Sequence, residues 1–324
     1  MVHAVRIHEH GGPGVLRWEE VAVGAPGPGQ VRLRQTAIGL NYIDTYHRSG
    51  LYKVAELPAV IGVEGAGVVE AVGEGVTSVE PGERVAYAGP LGAYAEARLI
   101  PADRLVTLPG WLDDIQAAAL MLQGMTAEYL LRRTYRVEPG DTILVQAAAG
   151  GTGLLLCQWA SRLGATVIGT VSTEEKAALA RAHGAHHVIL YSRENFVERV
   201  REITGGQGVA AVYDGVGQST FLGGLDCLRP RGMMVSFGQA SGAVPPLDTG
   251  LLAAKGSLYL TRPSLFTYIA KREELVESAA TVFEAVRSGA LKIEVNQTLP
   301  LKDAADAHRA LEGRATTGST VLLP

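Results

Sequence analysis

Cysteine is scarce in this 324-residue chain, with Cys157 and Cys227 the only two. They cannot build a disulfide framework, and neither belongs to a CxxC or other ligand-spaced cluster, so a reducing, cytoplasmic setting is expected. Long apolar runs are absent as well. No segment approaches the roughly 20 apolar residues of a membrane span, and the N-terminal MVHAVRIHEHGGPG lacks the apolar core of a signal peptide. Neither membrane insertion nor export is expected. Charge of one sign is also missing: 29 Lys and Arg stand against 33 Asp and Glu, a net charge of −4. Without a basic footprint, nucleic acid is not an expected partner. The eight histidines show no HExxH-like spacing. Composition leaves a small, roughly neutral ligand as the expected partner.

Glycine, by contrast, is abundant: 40 residues, about 12% against a usual share near 7%. It punctuates turns rather than marking a repeat. Over residues 1–122, short β-branched runs alternate with Gly/Pro breaks (VRLRQTAIG, GAGVVEAVGEG, GERVAYAG, GAYAEARLIP). This pattern predicts an antiparallel, barrel-like β domain with little helix. The helical spacing of WLDDIQAAALMLQGMTAEYLLRRTYRV marks a change of character. From Asp141 onward, continuous apolar strands such as TILVQA and ATVIGTV alternate with helical segments such as LLLCQWASRLG and EEKAALARAHG. An α/β domain with a parallel sheet, covered on both faces, is predicted over residues 123–261. The tail, 262–324, carries the amphipathic ELVESAATVFEAVRSG and LKDAADAHRALEG, and is expected to return to the first domain and set a cofactor in a cleft between the two. KGSLYLTR, 255–262, reads as the last strand of the parallel sheet. An uncovered apolar edge calls for pairing, so a homodimer joined edge to edge is expected.

QAAAGGTG, Gln146 to Gly153, lies between an apolar strand and a helix. Glycines at such a turn let the chain bend tightly, let a pyrophosphate approach, and let helix and strand pack closely, while the helix N-terminus offers free amides and a positive dipole. Gly150, Gly151 and Gly153 are placed for those tasks. Ala148 replaces the first glycine of the GxGxxG pattern, so the motif draws its strength from the strand before it, the helix after it and the βαβ units that follow. A dinucleotide is the predicted ligand. In NAD-binding folds an acid about 20 residues further on takes the ribose hydroxyls. Here VIGTVST places Thr170, Val171, Ser172 and Thr173 there, and Glu174 and Glu175 fit the first turn of the next helix.

Several segments together resemble the quinone oxidoreductases of the zeta-crystallin type, among the medium-chain dehydrogenase/reductases: GDTILVQAAAGGTGLLLCQWAS (Gly140–Ser161), GLNYIDTYHRSGLY, GVEGAGVV, YDGVG, MVSFG, GSLYLTRPSL and RATTGSTVLLP. The likeness runs from end to end of the chain. It implies a GroES-like β-barrel catalytic domain joined to a Rossmann-type, doubly wound parallel sheet, NADPH as hydride donor, and a quinone or related electrophile as acceptor. It also implies cofactor contacts from Ala149, Gly150, Gly151, Thr152 and Gly153 in the loop, from Asn41, and from Ser172. Gln123 and Thr126 would approach the nicotinamide, and Phe237 and Gly238 its carboxamide. Lys176, Tyr191 and Arg314 match the positions at which the family grips the 2′-phosphate, which makes NADPH the expected cofactor. Enone or alkenal reduction, or a non-catalytic NADPH-binding role, are the alternatives the same resemblance allows.

Zinc relatives within that superfamily hold a catalytic metal on Cys and His. In this chain Asn41 stands at the cysteine position and Val63 at the histidine of GHE, leaving Glu64, expected to serve its loop structurally. No metal is predicted. Hydride transfer then needs an acceptor that is already electrophilic, held face to face with the nicotinamide. The polar groups available are Asn41, Asp44, Tyr46 and Tyr52. Asn41 either donates its amide to an acceptor or cofactor oxygen or stabilises its loop. Each tyrosine either stacks on a flat acceptor or fills the core, and Asp44 reads first as a turn or cap group.

Overall fold

The computed structural model of the protein describes Met1 to Pro324 throughout. Sixteen strands run in chain order: β1 Val2–Ile7, β2 Leu16–Val21, β3 Gln30–Leu40, β4 Ala59–Val60, β5 Glu64–Val72, β6 Arg84–Ala88, β7 Ala97–Pro101, β8 Val106–Thr107, β9 Thr142–Val145, β10 Thr166–Val171, β11 His187–Leu190, β12 Val209–Asp214, β13 Leu228–Ser236, β14 Tyr259–Thr261, β15 Val295–Pro300 and β16 Ser319–Leu323. The chain forms two compact units, one of residues 1–122, 270–279 and 293–324, the other of residues 123–269 and 280–292.

In the first unit β3 is the spine. Val31, Leu33 and Gln35 point inward while Arg32 and Arg34 point out, the period-two alternation that lets one face bury and the other meet water. β5, β7 and β16 all pair with β3 antiparallel, and the sheet order is β15-β16-β3-β5-β6-β8. A smaller sheet, β2-β1-β4, stands beside it. Leu33, Ile38, Val85, Tyr87, Tyr94 and Ile100 fill the core, and Leu301, Ala304 and Leu322 from the chain's end pack into the same cluster. The expectation of little helix misses one element that matters: α1, Tyr42–Ser49, directly after β3. Its N-cap is Asn41, and Gly50 ends it in the left-handed conformation with φ 84°.

In the second unit every strand pair is parallel, in the order β11-β10-β9-β12-β13-β14. Counted from β9 this is 3-2-1-4-5-6, with the order reversing between β9 and β12, where the crevice at the carboxyl ends of the strands opens. The doubly wound sheet predicted from sequence is therefore present. Its central strands β9 and β10 are largely apolar, as burial on both faces requires: Ile143, Leu144, Val145, Val167 and Ile168 are all fully buried. β14 is the outer strand, with Tyr259 59% and Leu260 40% exposed.

The tail differs from the expected single return at residue 262. Residues up to Ile269, and again 280–292, cluster with the second unit. Tyr268 stacks on Tyr129 with ring centroids 4.3 Å apart, and Gln158 exchanges two hydrogen bonds with the backbone of Lys292. Amphipathic spacing marks a buried face but does not say which core receives it.

Candidate active site

β9 ends at Val145 and the chain turns through Gln146–Gly150 into the helix Gly151–Arg162. Ala147 adopts φ 55°, a left-handed backbone that a non-glycine residue holds only under local strain. Gly150 is the N-cap and offers the first helical amides no side-chain cap. A Cβ at Gly153 would overlap the carbonyl oxygen of Ala147, and one at Gly151 would overlap the side chain of Gln123. Gly153 is thus required by packing against backbone, whereas at Gly151 the Gln123 side chain would have to move. The alanine at the first motif position has a partner in β10: a Cβ at Gly169 would lie 2.7 Å from that of Ala148. A glycine-lined helix start without a side-chain cap suits an anionic group held close to the backbone.

Ser172 and Tyr191 directly follow the carboxyl ends of the neighbouring strands β10 and β11, and Lys176 lies in the first turn of the helix after β10. The Tyr191 N–H donates to Val171 O at 3.1 Å, and Ser192 Oγ donates to Ser172 O at 2.8 Å, which draws the two strand ends into one patch. Thr173 caps the helix Glu174–Ala182, its Oγ1 accepting from the Lys176 N–H. Glu174 lies in the first turn and pairs with Arg193 at 3.2 Å. Arg314 belongs to the first unit, where it takes φ 57° and acts electrostatically on Tyr42. Gln123 and Thr126 are buried on the helix Met121–Tyr129. Phe237 and Gly238 fold back onto the YDGVG turn, both amides donating to Asp214 O. Asp214 itself accepts from the N–H groups of Val216 and Gly217 and from Thr220 Oγ1, so it fixes that turn.

In the first unit the polar groups gather at the start of α1. Asn41 Nδ2 donates to Glu64 Oε2 at 2.6 Å, and the Leu122 N–H donates to Glu64 Oε1 at 2.6 Å. Glu64 is the first residue of β5 rather than part of a loop, and it is fully buried. Burial raises its pKa to about 8, the two donated hydrogen bonds opposing that rise. Asp44, at the third helical position, accepts from the Asn41 N–H at 2.9 Å, half of a capping box. The cap reading of Asp44 therefore describes its local contact. It is also fully buried, and burial lifts it to about 7. Tyr46 is buried and meets Tyr52 edge to face, the centroids 5.2 Å apart, while His47 meets Tyr52 at 5.9 Å. Burial lowers His47 to about 4, so its ring is neutral.

Sequence reasoning missed the buried residues behind Asp44. Tyr94 Oη donates to Asp44 Oδ2, His308 Nε2 lies 3.0 Å from Tyr94 Oη, and Arg48 Nη1 lies 2.9 Å from His308 Nδ1. The one available signal was the N-x-x-D spacing of Asn41 and Asp44, which marks a cap; nothing local marks Tyr94 or His308.

Residues 27–110 match the family described as the alcohol dehydrogenase GroES-like domain, and residues 151–281 the one described as zinc-binding dehydrogenase. A 2-haloacrylate reductase of a Burkholderia species is 54% identical, over 100% of this chain and 99% of its own length. A quinone oxidoreductase of Pseudomonas aeruginosa is 52% identical over the whole of both chains. The solved structure of Escherichia coli quinone oxidoreductase complexed with NADPH superposes with a TM-score of 0.97 at 50% identity, covering 99% of this chain and 100% of that one. With its GroES-like barrel and Rossmann-type sheet, the chain belongs to the quinone oxidoreductase family of the medium-chain dehydrogenase/reductases.

Proposed function

We propose that this protein reduces quinones with NADPH and does so without zinc. The observation that carries the reading is the end of β10, where Ser172 stands in place of a ribose-binding acid, Glu174 is turned to Arg193, and Tyr191 follows the neighbouring strand β11 with Lys176 in the next helix. Hydroxyls and a lysine at these positions suit a 2′-phosphate, which an acid in place of Ser172 would repel. Full-length relatives at about 50% identity that are named quinone oxidoreductases support the same reading. NADPH supplies a hydride, and a quinone takes it up without a Lewis acid because reduction yields an aromatic ring.

The chain's own residues then hold and orient. Gly150, Gly151 and Gly153, with the backbone of Ala149 and Thr152, receive the pyrophosphate at the helix start. Lys176, Tyr191 and Arg314 take the 2′-phosphate, and Gln123, Thr126, Phe237 and Gly238 border the nicotinamide. Asn41, whose amide is oriented by Glu64, serves an acceptor or cofactor oxygen, and Tyr46 and Tyr52 offer ring faces to a flat acceptor. The proton that completes the hydroquinone comes from water. Two buried cysteines, their thiols both raised by burial to about 12, fit a reducing cytoplasm. The exposed Tyr259 and Leu260 of the outer strand support an edge-to-edge homodimer.

Steady-state oxidation of NADPH against a panel of a quinone, an enone and a 2-haloacrylate tests this. Turnover fastest with the quinone is expected. The 54% identical 2-haloacrylate reductase favours one second reading, reduction of an activated alkene, which a preference for the acrylate would establish instead.

A further inference from the structure

Four buried side chains connect the C-terminal helix Ala304–Glu312 to the start of α1, and their chemistry fixes the direction of every hydrogen between them. Arg48 has donors only, so its Nη1–H must donate to His308 Nδ1, 2.9 Å away. That places the imidazole proton on Nε2, which donates to Tyr94 Oη at 3.0 Å. Tyr94 has one proton left to give, and it goes to Asp44 Oδ2, also at 3.0 Å. The same carboxyl oxygen accepts the N–H of Asn41. Glu312 balances the guanidinium with two contacts of 2.9 and 2.7 Å.

Buried polar chains of this kind rarely add stability over an apolar core of the same shape. What they do is specify one arrangement. We propose that Arg48, His308 and Tyr94 form a one-way hydrogen-bond chain that positions the Asn41 cap, making Tyr94 and His308 positioning residues for acceptor reduction although neither is assigned a contact with acceptor or cofactor. The inference rests on the quinone reductase reading for its kinetic arm only. The chain cannot carry protons to Asp44, because Arg48 has none to lend and burial beside Arg48 keeps His308 neutral, lowered to about 3. Its effect is to polarise each link toward the carboxyl. Other titratable groups that interact with this cluster are Glu64 from β5 and Tyr87 from β6, both with Asp44, and Tyr42 at the start of α1, with Arg48 and Glu312.

The experiment compares Tyr94→Phe, His308→Leu and His308→Gln with the wild type. Glutamine has a carbonyl to accept from Arg48 and an amide to donate to Tyr94, so it repeats both roles of the ring. The first readout is the NMR pH titration of the Asn41 backbone amide, which reports Asp44 whether or not a quinone is turned over. Its midpoint is expected to rise by about one pH unit in Tyr94→Phe and His308→Leu, each of which takes support from the carboxylate, and to stay in place in His308→Gln. The second is kcat with a quinone, expected to fall roughly tenfold in the first two variants and to remain within about threefold in the glutamine variant, with the NADPH dissociation constant unchanged within about twofold in all. Identical titration midpoints in all four proteins, or equal kcat losses for leucine and glutamine, would overturn the proposal. A wild type inert toward quinones would sink the functional reading alone, and the amide titration would still decide this one.

Discussion

Replacing Glu64 by Gln tests how the protein carries a buried acid beside Asn41. Glu64 is enclosed on all sides, and burial lifts it from 4.5 to about 8. The native state therefore keeps a proton that the unfolded chain has released across that window. A raised acid contributes stability that is fully present below pH 4.5 and is lost as pH rises through 8. The slope is about 1.4 kcal/mol per pH unit, which caps the loss at about 5 kcal/mol; relaxation around the site brings the expected figure to roughly 2–5 kcal/mol. Glutamine has the same shape and no proton to lose. Unfolding midpoints followed by far-UV circular dichroism from pH 5 to 8 should thus fall less steeply in Glu64→Gln than in the wild type, with the variant the more stable at pH 8. Asp44 and Asp214, also raised by burial, leave a residual slope in both. The substitution has a second consequence at Asn41. One end of the new amide still accepts from the Leu122 N–H, so the other end presents N–H groups to Asn41 Nδ2, and the Asn41 amide must turn over to meet them. Turnover should drop although the fold is firmer. Parallel pH slopes in the two proteins would refute the account of Glu64 as a buried, proton-holding group.

Three further outcomes follow from the geometry. Gly153→Ala puts a methyl against the Ala147 carbonyl, so NADPH affinity by isothermal calorimetry should weaken at least tenfold and stability should fall by about 2 kcal/mol; an unchanged dissociation constant would count against the loop as the pyrophosphate cradle. Lys176→Ala and Arg314→Ala should each raise the Michaelis constant for NADPH by tenfold or more and that for NADH by less than twofold; equal losses with both cofactors, or a wild type that prefers NADH, would remove the 2′-phosphate assignment. Atomic absorption should find no stoichiometric zinc, and activity should survive EDTA. Activity lost to the chelator and restored by zinc would show that Asn41 and Val63 had been misread.

What could be read from the sequence was whatever depends on neighbours along the chain. Continuous apolar strands such as TILVQA mean burial on both faces wherever they occur, and the cap at Asn41 needs only the three residues after it. The doubly wound parallel sheet and the glycine turn between β9 and the helix after it were legible for that reason. The tail was not, since helical spacing gives Arg272–Arg287 a buried face without naming its core. Nor was the chain behind Asp44: Tyr94 and His308 lie 214 residues apart, and Arg48 and His308 260 apart. Each looks ordinary until folding brings it to the others, and none carries a local pattern that distinguishes it from a core tyrosine or a surface histidine. Glu64 was half legible, its lack of zinc partners plain and its bond to Asn41 hidden.

Ala148 and Gly169 imply that the glycine signature of this turn is a rule about a shared volume rather than about one position. Ala148 sits in the turn after β9 and Gly169 on the neighbouring strand β10, and one methyl fits between them but not two. A lineage can therefore move that methyl from one position to the other and keep the same backbone, passing through a form with glycine at both. A search that scores the loop alone counts Ala148 as a defect, whereas one that scores the loop together with the facing strand finds the pattern intact.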